Sequence, residues 1–360
     1  MKTKKKDFFQ FSKWLKYVQR FLYLINKTSF RGFSISPAEN VVWMKIWGIK
    51  FFKEDHFSQY MGLIDALSRR GEKFNIKFSY KLGDLRNRRV FLRYSRHLCP
   101  FGFVNYSETL HFFCRQMEIQ KCRVYPPLGD VLYWENKGYM TRRFLDLGIS
   151  IPKTRLATSL KDIEEAQFSY PFLIKEEHSA ASEGVYKINT RAELERYLTE
   201  SRYFDFNQYL VVQELLNIRR DLRVTFIGDR IVLHYWRINK SAEWKPTSTS
   251  HGSEVDFGNF PEKWRSFITD QYRKLGLSTG AFDIAWQNDD LETTPLILEV
   301  SPNYQPNPLV DISTLGMSYG QFKEKFLFFN SYDHKFVDLT FSIMKEQVDN
   351  FLNKSEIVLT

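Results

Sequence analysis

Apolar and polar residues alternate with a period of two across Ala281–Asn303. The even positions Phe282, Ile284, Trp286, Leu296, Leu298 and Val300 are apolar, and the odd ones include Asp283, Ala285, Glu299 and Ser301. This pattern predicts two strands, each with one buried face. Paired antiparallel around the polar turn Asn288–Thr294, they bring Asp283 opposite Glu299. Facing carboxylates destabilise a ladder. Either a bound cation relieves them, with oxygen ligands suiting Mg²⁺, or a Lys or Arg neutralises one of them.

The same reading extends along the chain. Phe8, Phe11, Leu15, Val18, Leu22 and Ile25 recur every three or four residues, with Lys13, Lys16, Gln19 and Arg20 off the stripe. They predict an amphipathic helix. Strands are expected at Val41–Trp47, Val90–Tyr94 and Arg123–Tyr125, and helices at Phe57–Arg70 and Ser107–Gln120. Together these make a small doubly wound α/β domain over 34–127, which ends at Pro126-Pro127. A helix is predicted from Tyr133 to Leu147, then extended chain over Ile151–Leu156. The pairs Ser159/Asp162 and Thr190/Glu193 have the spacing of capping boxes. Strands follow at Tyr170–Lys175 and Tyr209–Gln213. Leu222–Ile227 and Arg230–Arg237 form a hairpin around Gly228-Asp229. Pro261–Leu275 is expected to be helical, and two helices near Gln321–Phe329 and Phe336–Phe351 close the chain.

Charge adds one element. Nine Lys or Arg against Asp7 give residues 1–31 a charge of +8, out of +10 for all 360 residues. The basicity therefore describes one segment, and no nucleic-acid-binding body follows from it. That helix either lies on an anionic membrane surface or packs on the body. Cys99, Cys114 and Cys122 form no CxxC pair, so neither a disulfide framework nor a zinc site is expected, and a cytoplasmic setting is the simplest. No apolar run is long enough to span a membrane, and no secretory signal is recognisable.

Candidate chemistry lies between residues 130 and 303. No GxxxxGK[ST] or GxGxxG is present. Instead Lys175 ends an apolar strand and is followed by Ser179-Ala180-Ala181-Ser182-Glu183-Gly184, small residues that let backbone N–H groups approach phosphate. Gln213-Glu214-Leu215-Leu216 follows another apolar strand, and Asp221, Arg223 and Arg237 come next.

In this order the chain resembles the ATP-grasp superfamily of carboxylate–amine or –thiol ligases, over roughly Leu128–Pro308. The resemblance is carried by Trp134-Glu135-Asn136-Lys137 through Gly148-Ile149-Ser150-Ile151-Pro152-Lys153-Thr154, by Pro171–Lys175, by Ser182-Glu183-Gly184-Val185 and by Val211–Leu216. Arg220-Asp221-Leu222-Arg223-Val224, Ala281–Ile284 and Leu298–Asn303 complete it. It implies an α/β (α+β) ATP-grasp fold with a small lid over 128–212, a C-terminal metal-binding domain over 213–316 and C-terminal helices over 317–360. These would follow the basic segment 1–33 and the α/β domain 34–127. It implies ATP and Mg²⁺. Lys137, Lys175, Ser182, Gly184, Gln213, Glu214, Leu215, Leu216 and Asp221 would contact nucleotide. Asp283 and Glu299 would hold metal with Ser301 or Asn303, and Arg237 and Arg223 would stabilise developing anions. The family's Glu-x-Asn appears as Glu299-Val300-Ser301, and the phosphate loop has one glycine. Trp244–Gly252 offers Lys245, Ser250 and His251 on the substrate side, whereas His234 reads as structural. The implied reaction joins a carboxylate, activated as an acylphosphate, to an amine, on a small-molecule, peptide or glycan substrate. The alternatives are a small-molecule kinase on the same fold and a non-catalytic nucleotide-binding protein at a membrane surface.

Overall fold

In the computed structural model the described residues are 18–44, 55–78, 83–94, 106–179, 184–241, 243–249, 252–310, 316–317, 319, 321–322 and 331–356. The chain forms two compact units. The first comprises Met1–Leu128, Gln305–Leu315 and Phe322–Thr360, and the second Gly129–Tyr304 and Gly316–Gln321.

The first unit is built on four parallel strands, β1 (Asn40–Met44), β2 (Phe74–Phe78), β3 (Arg89–Phe91) and β4 (Arg123–Tyr125). Their order in the sheet is β2-β1-β3-β4. Helices Asp55–Arg69 and Tyr106–Ile119 fill the connections, as the alternating pattern predicts. β2 was not expected; its five residues FNIKF lie on a sheet edge, too short for a clear alternation. Residues 45–47 of the predicted first strand lie outside the described residues.

Helix Asp55–Arg69 packs against Ser331–Glu356, one helix of 26 residues. Gly62 makes the approach possible, since a Cβ there would sit 3.0 Å from the Met344 side chain and 3.2 Å from the Phe341 backbone. The helix predicted near Gln321–Phe329 falls almost wholly outside the described residues. Cys114 and Cys122 are buried free thiols.

The described part of the N-terminal helix, residues 18–27, corrects its predicted face. Leu24 is buried in the core that Asp55–Arg69 and Ser331–Glu356 share with the parallel sheet, and Phe21, Tyr23 and Ile25 pack against that core. Arg20, expected off the apolar stripe, is 2% exposed, whereas Leu22 is 52% exposed. Packing on two neighbouring helices, rather than the helix's own polarity, sets which side turns inward. For these residues the body is the partner. Among the described residues, no helix is long and apolar enough to cross a membrane.

The second unit contains two antiparallel sheets. The smaller comprises β5 (Thr154–Ala157), β6 (Phe172–Glu176), β7 (Val185–Ile188) and β8 (Leu210–Glu214), ordered β5-β8-β6-β7. Helices Leu160–Glu165 and Arg191–Ser201 open as their caps predict: Ser159 accepts from the Asp162 N–H, and Thr190 from the Glu193 N–H. The larger sheet comprises β9 (Arg220–Ile227), β10 (Arg230–Ile238), β11 (Glu254–Asp256), β12 (Thr279–Ala285) and β13 (Leu296–Ser301). Its order is β11-β10-β9-β12-β13. Helix Arg265–Leu275 buries Ile268, Tyr272 and Leu275 and ends at Gly276.

Two expectations change here. The predicted helix Tyr133–Leu147 is only Lys137–Asp146. Asn136 caps it by accepting from the Tyr139 N–H at 2.9 Å, and the preceding residues form turns closed by Tyr133 and Trp134 N–H groups on Asp130 and Val131. The simple parity of the β12–β13 hairpin also fails. Asp283 pairs with Glu299 as predicted, but Ile284 then pairs with Ile297. Leu298 is the extra residue of a β-bulge. Ile297 therefore takes the buried place expected for Leu298. β12 is also buried on both faces: Phe282 and Ile284 pack in the core with Ile268 and Tyr272, and Asp283 on the opposite face is covered by Arg223 and Arg237.

Candidate active site

Cross-strand partners in a sheet share one face. The registers therefore align Tyr235 (β10), Arg223 (β9), Asp283 (β12) and Glu299 (β13) in a single rung across the large sheet. Arg237 and Asp221 pair on the same face two residues away. Four charged side chains from three strands thus meet. Arg223 grips Asp283 through two bonds, Nε to Oδ1 at 2.7 Å and an Nη to Oδ2 at 2.8 Å. Arg237 grips Asp221 at 2.7 and 2.5 Å and also reaches Asp283 at 2.8 Å. The Thr247 hydroxyl donates to Asp221 at 2.5 Å.

The electrostatics follow from burial and alternation of sign. Burial alone would raise the Asp283 carboxyl, but Arg223 and Arg237 outweigh it and hold the group at about 2. Burial pushes Asp221 upward, with Arg237 and Thr247 opposing it. For Arg237, burial disfavours the charge, and Asp221 and Asp283 more than restore it. Two cations and two anions therefore balance in a site where an unpaired charge would cost several kcal/mol.

Lys137 is the first residue of its helix and is 5% exposed. A cation there opposes the helix dipole. Two of its N–H bonds go to Ser179, to the carbonyl at 2.5 Å and the hydroxyl at 2.9 Å. Its own backbone N–H donates to the Glu177 carbonyl. Lys137 is thus tied to the segment that follows β6. Lys175, near the end of β6, keeps part of its surface accessible but is largely desolvated. Desolvation is the main cause that lowers its ammonium to about 8, and Lys137 adds to it while Glu299 and Asp283 oppose it. These four side chains therefore share one electrostatic environment, although Lys137 and Lys175 come from different elements than Asp283 and Glu299.

Gly184 closes the β6–β7 loop with its carbonyl accepting from the Glu176 N–H at 2.8 Å. Its φ is +68°, and a Cβ would lie 2.7 Å from Glu176 Oε2 and 2.8 Å from Ser179 Cβ. Only glycine fits there without strain. Ser182, Ser250 and His251 lie outside the described residues.

Gln213 and Glu214 end β8, and Leu215–Arg219 carries the chain to β9 in the other sheet. The Gln213 amide donates to Thr154 Oγ1 at 2.9 Å, and Glu214 Oε1 accepts from the Lys153 N–H. Both side chains thus fix the segment, and Leu216 is buried. Any nucleotide edge would meet backbone groups here. Asp221, expected to contact nucleotide, instead commits its carboxylate to Arg237 and Thr247. His234 packs edge-on against Phe260. In the 244–252 segment Lys245 offers its carbonyl to Asn239, while Thr247, unmarked by any pattern in the sequence, supplies the clamp.

The residues fit a hard divalent cation. Asn303 Oδ1 is a buried acceptor with no donor among the described residues. Glu299 receives one long contact, from the Ser301 hydroxyl at 3.5 Å. Asp283 uses three of about four acceptor positions on the two arginines, leaving one. Carboxylate, amide and hydroxyl oxygens are the donors Mg²⁺ takes. Among the described residues no cluster of three or more His, Cys, Asp or Glu forms a metal cage, so phosphate and water oxygens would complete the shell.

No family model matches the sequence, and no curated protein matches it. Solved structures do match in shape. D-alanine–D-alanine ligase from Bacillus anthracis, complexed with ATP, superposes with a TM-score of 0.52 at 12% identity, covering 87% of this chain and 100% of that one. The ATP-grasp ligase PsnB, complexed with a minimal precursor, gives 0.52 at 13%, covering 88% and 99%. A RimK-domain ATP-grasp protein from Sphaerobacter thermophilus gives 0.53 at 13%, covering 85% and 99%. At such identities the likeness speaks to the fold, which is that of the ATP-grasp superfamily.

Proposed function

We propose that the chain is an ATP- and Mg²⁺-dependent ligase joining a substrate carboxylate to an amine. The observation that carries this reading is the shared environment of Lys137, Lys175, Asp283 and Glu299, with the paired arginines on the same sheet face. The carboxylate oxygen attacks the γ-phosphorus of ATP and ADP leaves; the amine then attacks the acyl carbon, phosphate leaves and the amine loses a proton. The first step brings anion to anion, so its demands are alignment and charge neutralisation.

Lys137 and Lys175 attract the α- and β-phosphates, and the binding of those anions offsets the desolvation cost of the charge on Lys175. Backbone groups of Gln213–Leu216 receive the adenine edge. Glu299 and Asn303, with Asp283 and Ser301 beside them, hold Mg²⁺, which when bound neutralises phosphate charge. Arg237 and Arg223, each with one Nη not bonded to Asp221 or Asp283, offer those N–H groups to the acylphosphate and to the oxyanion formed on amine attack. Ser179, bonded to Lys137, anchors the start of the β6–β7 loop beside the phosphate-facing lysine; residues 180–183 of that loop lie outside the described residues. The acceptor, whether small molecule, peptide or glycan, is to be found by assay. Residues 18–27 turn their apolar side to the body, which supports no membrane role for that part of the chain.

The test is ADP release screened over pooled carboxylates and amines, with mass spectrometry of the product. Amine-dependent amide formation is expected, and Glu299→Ala abolishes it while leaving far-UV circular dichroism unchanged. ADP release that needs no amine and yields a stable phosphorylated product would replace this reading with the kinase; undiminished Mg²⁺-dependent turnover by Glu299→Ala would remove the metal assignment.

A further inference from the structure

The first unit holds a buried cation that the proposed reaction does not use. Arg93 lies two residues beyond the end of β3 and is 3% exposed. Its Nε and one Nη donate to the side-chain amide oxygen Oε1 of Gln59 at 3.1 and 3.0 Å, and the other Nη donates to Gln347 Oε1 at 3.3 Å. The Tyr125 hydroxyl donates to the same Gln347 oxygen at 2.5 Å. All three acceptor bonds are to neutral amides. Among the described residues no carboxylate pairs with Arg93, and two of its five N–H donors have no acceptor. A buried guanidinium normally has an anionic partner.

Its place in the fold is informative. The strand order β2-β1-β3-β4 reverses direction between β1 and β3. Ligands of open parallel sheets bind beyond the carboxyl ends of the strands at such a reversal. Arg93 stands at that end of β3, and Gln59 is the fifth residue of the helix that follows β1, so its N-terminal half faces the same place. A guanidinium fork, a helix N-terminal half and a strand-order reversal coincide.

We propose that this is an oxyanion-binding site of the first unit, taking the carboxylate or phosphate group of a small molecule on the free N–H groups of Arg93. Planar forks match both groups. The reading is independent of the ligase assignment, because it concerns no residue of the ATP-grasp site.

The test is thermal melting of the full chain in sodium phosphate, sodium acetate and sodium chloride at equal ionic strength. The specific anion raises the melting temperature over chloride by about 4 °C at ten times its dissociation constant. Arg93→Gln abolishes the rise, Arg93→Lys weakens it through loss of the fork, and Lys175→Met retains it. Hydrogen exchange of the wild type, which needs no variant, shows anion-dependent protection in peptides covering residues 57–64 and 91–94. A rise with acetate assigns a carboxylate ligand, and a rise with phosphate alone assigns a phosphoryl group. An undiminished rise in Arg93→Gln, no rise with either anion, or protection confined to the second unit overturns the proposal.

Discussion

Replacing Lys175 with Met separates what the lysine does for the fold from what it does for a nucleotide. Desolvation lowers its ammonium from 10.5 to about 8. Each factor of ten in proton affinity is about 1.4 kcal/mol, so holding the charge at pH 7 costs about 3 kcal/mol. Methionine keeps the unbranched stem and removes the charge. The variant should therefore unfold at higher urea, with a gain of about 1–3 kcal/mol at pH 7. The pH dependence has a definite sign. Below pH 8 both folded and unfolded chains are protonated and the cost is constant. Between pH 8 and 10.5 the unfolded chain binds more protons, so wild-type stability gains a contribution as pH rises, and the variant lacks it. Nucleotide binding should run the other way. If phosphate requires the charged lysine, Mg·ATP affinity measured by titration calorimetry falls as pH rises through about 8 in the wild type, and is weak and flat in the variant. Equal stability of the two proteins at pH 7, together with equal affinity for Mg·ATP, would refute the placement of Lys175 in a desolvated, phosphate-facing position.

Asp221→Ala leaves Arg237 with Asp283 as its carboxylate partner; a loss of about 3 kcal/mol by chemical denaturation is expected, with Thr247→Val costing about 1 kcal/mol. Asn303→Ala removes an acceptor that has no donor among the described residues, so its stability should change by less than about 1 kcal/mol. Its half-saturating Mg²⁺ concentration, read from ATP-binding titrations, should nevertheless rise roughly tenfold; an unchanged metal requirement would exclude Asn303 as a ligand. Gly184→Ala meets both a left-handed φ and contacts below 3 Å, so a loss of about 1–3 kcal/mol and weaker ATP binding are expected in melting and calorimetry.

What was legible in the sequence was local. Helix caps at Ser159 and Thr190, the Gly228-Asp229 hairpin and the facing of Asp283 and Glu299 follow from short-range periodicity and turn chemistry, which act within about twenty residues. The sequence of motifs from Lys137 to Asn303 carried the resemblance to the fold. Position in the sheet was not legible. That β9 lies between β10 and β12 is a pairing across some sixty residues, and it alone brings Arg223 and Arg237 onto Asp283. The Leu298 bulge, which no periodicity announces, decided that Ile297 rather than Leu298 is buried in β13. The break at Asn136 made Lys137 a helix start, and packing on neighbouring helices turned Arg20 inward and Leu22 outward. Local pattern specifies which residues prefer water and which backbone bends; only tertiary pairing specifies which charges meet once water has been removed, and that sets the chemistry of this site.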